Sequence, residues 1–187
     1  MKSILHVLLC LSFLAPLRAE DEMKKWIANL EKNAAQMEEM ATDDGTIEIL
    51  SLYPSQLSKP PVDEDKKNPE TKEPPKFHSY PVLNRAQVTD PKVKKELLTE
   101  LAKSIRASIP TDGGITVSGC FNPRHGIIYA KGEKKVELLI CFECDKVECH
   151  DSDQEKPRGF TIQSSAGPEL FNAFLDKQHV NRDVPEK

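Results

Sequence analysis

Met23, Trp26, Ile27, Leu30, Ala34 and Met37 recur at helical spacing, with Lys24, Lys25, Glu31, Lys32, Glu38 and Glu39 between them. This stripe predicts an amphipathic helix over 23–41, ended by Asp43-Asp44-Gly45. Burial against a neighbouring element, more than intrinsic propensity, stabilises most such helices. The stripe is therefore read as packing on its own domain, with docking of a protein partner as the alternative. Thr46–Leu52 alternates and is rich in Ile and Leu, the pattern of a strand. Phe77–Val88 holds one or two more short strands. Asp90 is a natural N-cap with Pro91 at the first helical position. Val93, Leu97, Leu98, Leu101, Ala102 and Ile105 then form a stripe, and Lys92, Lys94, Lys95 and Lys103 are expected to face water. Pro110 and Asp112-Gly113-Gly114 stop that helix.

Four further strand candidates follow: Ile115–Phe121, Ile127–Lys131, Val136–Phe142, and a weaker one near Val147 or Phe160–Ile162. Gly132-Glu133 suggests a tight hairpin. Pro168 opens a last short helix with Leu170, Phe171, Phe174 and Leu175 inward. The order strand, helix, several strands, helix predicts an α+β fold. Its sheet is mostly antiparallel with helices on one face, and an N-terminal amphipathic helix precedes it.

Met1–Ala19 reads as a secretory signal peptide. Lys2 precedes the apolar run Ile4–Leu14, and Ala19 stands before a cut ahead of Glu20. The run is too short for a retained membrane span. Cys10 follows Leu9, not the small residue of a lipoprotein cleavage site, so soluble export is expected, to the periplasm or the extracellular space. The remaining chain divides into a helical segment at 20–45, an α+β domain at 46–178 and a tail at 179–187. Within the domain, 58–76 carries Pro60, Pro61, Pro69, Pro74 and Pro75 among charges and reads as an exposed, disordered insertion.

The chain has 187 residues, 38% of them hydrophobic and 30% charged, enough for one modest core. Removing 1–19 takes away Lys2 and Arg18 and no acid, moving the formal charge from −4 to −6. With both signs interspersed, no basic face emerges for nucleic acid. No integral membrane segment remains after signal cleavage.

The candidate chemistry lies between Cys120 and His150. Cys120-Phe121-Asn122-Pro123-Arg124-His125-Gly126 is followed by Cys141-Phe142-Glu143-Cys144 and Cys149-His150. If Lys131 pairs with Lys134 or Lys135, His125 falls opposite Ile140 or Cys141. Cys120, His125 and Cys141–Cys144 would then meet at one end of the sheet. Disulfides suit an exported domain, with Cys120, Cys141, Cys144 and Cys149 as candidates in an unassigned pairing. Zinc is the second reading, with Cys120, His125, Cys141 and Cys144 as metal ligands in a closed tetrahedral site, and Cys149 or His150 as substitutes. Thiol catalysis is the third. Glu143, Asp145 and Glu148 would raise a thiol pKa rather than lower it, and a Cys120/His125 nucleophile–base pair lacks an orienting third residue.

Other candidates fall away. Arg124-His125-Gly126 matches the tripeptide of histidine phosphatases, but too little chain follows it for that fold. His78 is read as a packed strand residue. Asp151-Ser152-Asp153 lacks the glycine and distal glutamate of a calcium loop.

The run Cys120–Gly126, with Ile140–Cys144 after it, resembles a family of small exported bacterial proteins with no assigned function. Phe77-His78-Ser79-Tyr80 (glycine is more usual at the Ser79 position) and Ile47–Pro54 belong to the same resemblance, which covers roughly 46–175. It implies that strand Thr46–Leu52 belongs with the main domain across the insertion, and that the Cys/His cluster is shared. Cys149 lies outside the motif. The expectation is an exported, soluble, non-enzymatic module with a structural Cys/His cluster, held by disulfides or zinc. The alternative is a thiol- or metal-dependent periplasmic enzyme using Cys120/His125 with Cys141/Cys144.

Overall fold

A computed structural model describes residues 4–54, 74–110, 119–163 and 166–182, with side chains from residue 20 onward. The chain runs α1 (Ile4–Thr42), β1 (Thr46–Leu52), β2 (Lys76–Phe77), β3 (Tyr80–Val88), α2 (Pro91–Ala107), β4 (His125–Lys131), β5 (Lys134–Cys141), β6 (Lys146–Asp151), β7 (Arg158–Thr161) and α3 (Gly167–Lys177). The strands form one antiparallel sheet in the order β2-β3-β1-β4-β5-β6-β7. This is the α+β architecture that the order of elements predicts. No helix among the described residues is long and apolar enough to cross a membrane.

Side chains alternate between sheet faces along each strand. One face carries Ile47, Ile49, Ile127, Tyr129, Leu138, Ile140 and Val147. It packs on Leu30, Ala34, Met37 and Met40 of α1, Leu98, Leu101 and Ile105 of α2, and Phe171 and Leu175 of α3. The α1 stripe is therefore core. Leu50, Leu52, Phe77, Tyr80, Val82 and Leu139 form a smaller cluster, with Phe121 and Ile128 at its margin. Here β2 and β3 matter for packing: the Phe77 ring lies over Gly126, where an added Cβ would stand 3.1 Å from it.

The hairpin register follows the expectation. Lys131 pairs with Lys134 and His125 with Ile140, around a turn in which Gly132 takes φ +57°. Asp90 caps α2 by accepting from the Lys92 amide at 2.8 Å. Both weak strand candidates are strands, β6 and β7.

The strand expected at Ile115–Phe121 is not seen where it can be judged: 119–121 is irregular, and 111–118 lies outside the described residues. Most of the insertion expected at 58–76, the end of the tail and the side chains of the expected signal peptide at 1–19 lie outside them too.

Lys94 does not face water. Its ammonium is buried, donating to the Asp43 carboxylate at 3.0 Å and to the carbonyls of Asp43 and Gly45. Tyr129 donates its hydroxyl to the same carboxylate. The Gly45 amide and Lys131 donate to it as well, and partial burial, which opposes the shift, is outweighed, so this carboxyl is held down to about 2. The α1–β1 turn is thereby locked to α2 and β4.

Candidate functional site

Three of the four residues expected to share a site come together. Cys141 ends β5, and a disulfide joins it to Cys144 in the turn leading to β6, with the Cα atoms 5.2 Å apart. Cys120, in the irregular segment before β4, brings its Sγ to 3.2 Å from Cys144 Sγ. The Asn122 amide donates to the same sulfur at 3.4 Å. Cys141 and Cys144 are buried and Cys120 is exposed.

His125 does not join them. It is paired in register with Ile140, so it shares that residue's helix-side face, and Cys141, one position on, points to the other. The single-residue step separates the imidazole from the sulfurs across the sheet. The Cys₃His arrangement expected for zinc is thus not what this backbone assembles, and two of its sulfurs are already bonded to each other. Among the described residues no group of three or more His, Cys, Asp or Glu side chains is placed to hold a metal ion. Cys149 sits on the helix-side face too, with Arg158 Nη2 at 3.6 Å, and burial pushes its thiol up.

His125 instead forms the floor of a cavity. It is 6% exposed, with its ring edge-on to Phe142 and Phe171. Its Nε2 lies 2.9 Å from Oδ1 of Asn172 on α3. Burial, joined by the charges of Arg182 and Arg124, pushes the imidazole down to about 4 against the opposing Asn172 hydrogen bond, so it is neutral at physiological pH. The cavity measures about 130 Å³ and is bordered by Ser51, Asn122, Arg124, Glu143, Asn172 and Arg182. Arg124 Nε donates to Glu143 at 3.2 Å, and Arg182 forks onto Asp176 through Nε and Nη2 at 2.7 and 2.9 Å.

Sequence reasoning missed Ser51, Asn172 and Arg182. Ser51 stands directly across from His125 in the β1–β4 ladder, a buried polar break in an apolar strand. Asn172 follows the inward Phe171 on α3, and Arg182 lay in the expected tail. A polar residue interrupting a buried run was the available signal for the first; nothing local marked the other two.

His78 and His150 make a second cluster. His78 lies in the turn between β2 and β3, not in a strand, at φ 52°. Its ring stacks on His150 at 3.7 Å, with Glu137 3.3 Å from His78 and Glu148 2.6 Å from His150. Burial, then the neighbouring His150, lowers the His78 pKa. Asp151 accepts from Gln36 at 2.7 Å and from the Asp153 amide, which makes 151–153 a hydrogen-bonded turn.

No family model and no curated protein matches the chain. Among solved structures, a candidate lipoprotein from Clostridium perfringens is similar over 79% of this chain and 96% of its own, at 15% identity and a TM-score of 0.41.

Proposed function

We propose that this is an exported, non-enzymatic module that binds a small polar solute in the His125 cavity, with its cysteine cluster serving as a structural clamp. One observation carries the reading: segments far apart in the chain converge on the cavity, and the disulfide ties down one of them. Asn122 and Arg124 come from the Cys120–Gly126 run, Phe142 and Glu143 from the turn closed by Cys141–Cys144, and Ser51 from the Ile47–Pro54 run. These are the runs that resemble the small exported bacterial proteins. Their meeting at one cavity supports reading those runs as parts of a single shared site.

The chemistry favours binding over turnover. An imidazole with a pKa of about 4 is a weak base at neutral pH. Its oriented nitrogen faces an amide, not a carboxylate. Beside the Glu143 carboxylate, the rim offers the guanidinium groups of Arg124 and Arg182, each paired with a carboxylate, and the amide nitrogens of Asn122 and Asn172 as donors, which suits a solute rich in acceptors, such as a small carboxylate. A volume near 130 Å³ is close to that of cavities that admit benzene, so roughly half a dozen non-hydrogen atoms fit.

The test is a thermal-shift and calorimetric screen of small carboxylates, phosphates and neutral polyols. Saturable binding that is lost in Arg182→Ala and Asn172→Leu is expected. Catalytic turnover that disappears in a folded His125→Ala variant would overturn the non-enzymatic reading.

A further inference from the structure

We propose that Cys120 exchanges into the Cys141–Cys144 bond, so that the protein carries one bridge in two interchangeable positions. The inference rests on the disulfide in the reading above and adds a reaction to it.

Three sulfurs occupy one site and can make only one bond among themselves. Cys120 Sγ stands 3.2 Å from Cys144 Sγ, well within reach of a nucleophile, and Cys120 is open to solvent, which can take its proton. The Asn122 amide holds Cys144 toward the Cys120 segment. Cys149 cannot absorb the odd thiol, because it is buried on the opposite face of the sheet.

The step balances internally. Cys120 gives its proton to solvent. Its sulfur forms a bond to Cys144 Sγ as the Cys144–Cys141 bond breaks. The electron pair leaves on Cys141, which takes up a proton. One disulfide and one thiol are present before and after, so no outside oxidant or reductant is needed.

The exchange moves the tether. In the first position it closes the turn at the end of β5, joining residues three apart. In the second it ties that turn to the segment before β4, across a separation of 24 residues. Both pieces border the cavity, through Phe142 and Glu143 on one side and Asn122 and Arg124 on the other. The position of the bridge is therefore linked to the shape of the rim.

The full chain, recovered after export and never reduced, is labelled with a maleimide at mildly alkaline pH and mapped by peptide mass. The expected result is two populations, one labelled at Cys120 and one at Cys141. Cys120→Ser should abolish the Cys141 label. Cys141→Ser, oxidised with glutathione disulfide, should lose two hydrogens in a Cys120–Cys144 bridge. Label confined to Cys120 at all times, together with a Cys141→Ser protein that keeps both thiols, would overturn the exchange while leaving the clamp intact. Label at all three positions would overturn the clamp as well.

Discussion

The Nε2 of His125 lies 2.9 Å from the Oδ1 of Asn172, so β4 and α3 meet through an imidazole that donates to an amide. An amide orients the ring without stabilising its charged form as a carboxylate would. The imidazole is pushed down to about 4 by burial and by Arg182 and Arg124. Between that value and about 6.5, the unfolded chain binds a proton that the folded chain refuses. Stability due to this group is thus complete at neutral pH and falls as pH drops through 6.5 toward 4, by about 3 kcal/mol. Urea midpoints across this range should show the slope, and His125→Gln should flatten it. Asn172→Asp should raise the imidazole pKa, visible by NMR titration, and shrink the slope without His125 being touched.

Gly45 and Lys94 hold the α1–β1 turn. A Cβ at Gly45 would clash with the Tyr129 ring, most closely with its Cε2. Gly45→Ala should therefore displace Tyr129 from Asp43 and cost about 2 kcal/mol. Lys94→Met leaves the Asp43 carboxylate short of a buried cation and two carbonyls without their donor, at a cost of about 3 kcal/mol. The double variant should lose less than the sum, since both act on one network. Denaturant titrations of the three proteins check this.

Bridge position should also be readable in stability. A bond between residues three apart restricts the unfolded chain little, so losing it with no replacement, as in the Cys120→Ser/Cys144→Ser double variant, should cost about 2 kcal/mol. A Cys120–Cys144 bond spans 24 residues and is worth about 3.5 kcal/mol on the same chain-entropy reasoning. Cys141→Ser should accordingly keep or exceed native stability when oxidised and lose it on reduction. Equal losses in the two variants would speak against the longer bridge.

Much of the fold could be read from periodicity, because strands and helices bury their apolar positions at different spacings. Thr46–Leu52 is β1, and the Gly132-Glu133 turn set the register that places His125 against Ile140. What failed was the next inference. Bringing His125 near Cys141 along the strand says nothing about which face each takes, and a one-residue offset puts them on opposite sides. Lys94 was hidden in the same way, as one lysine among several on a helix whose partly buried carboxylate partner lies 51 residues earlier. The 119–121 segment reads as a strand end from its apolar residues. Its side chains are instead spent on Cys144 and Tyr80, with the Phe121 carbonyl accepting from the Tyr80 hydroxyl. Arg182 and Asn172 reach the cavity only through the placement of α3, which no local pattern announces.

The most direct test of the clamp is mass spectrometry on unreduced protein recovered without residues 1–19 after the export proposed above, read natively and after denaturing alkylation without reductant. The account predicts two protected and two alkylated cysteines, with Cys144 always protected, Cys149 always alkylated, and no added metal mass. Four alkylated cysteines with a bound zinc ion in the native mass would contradict it.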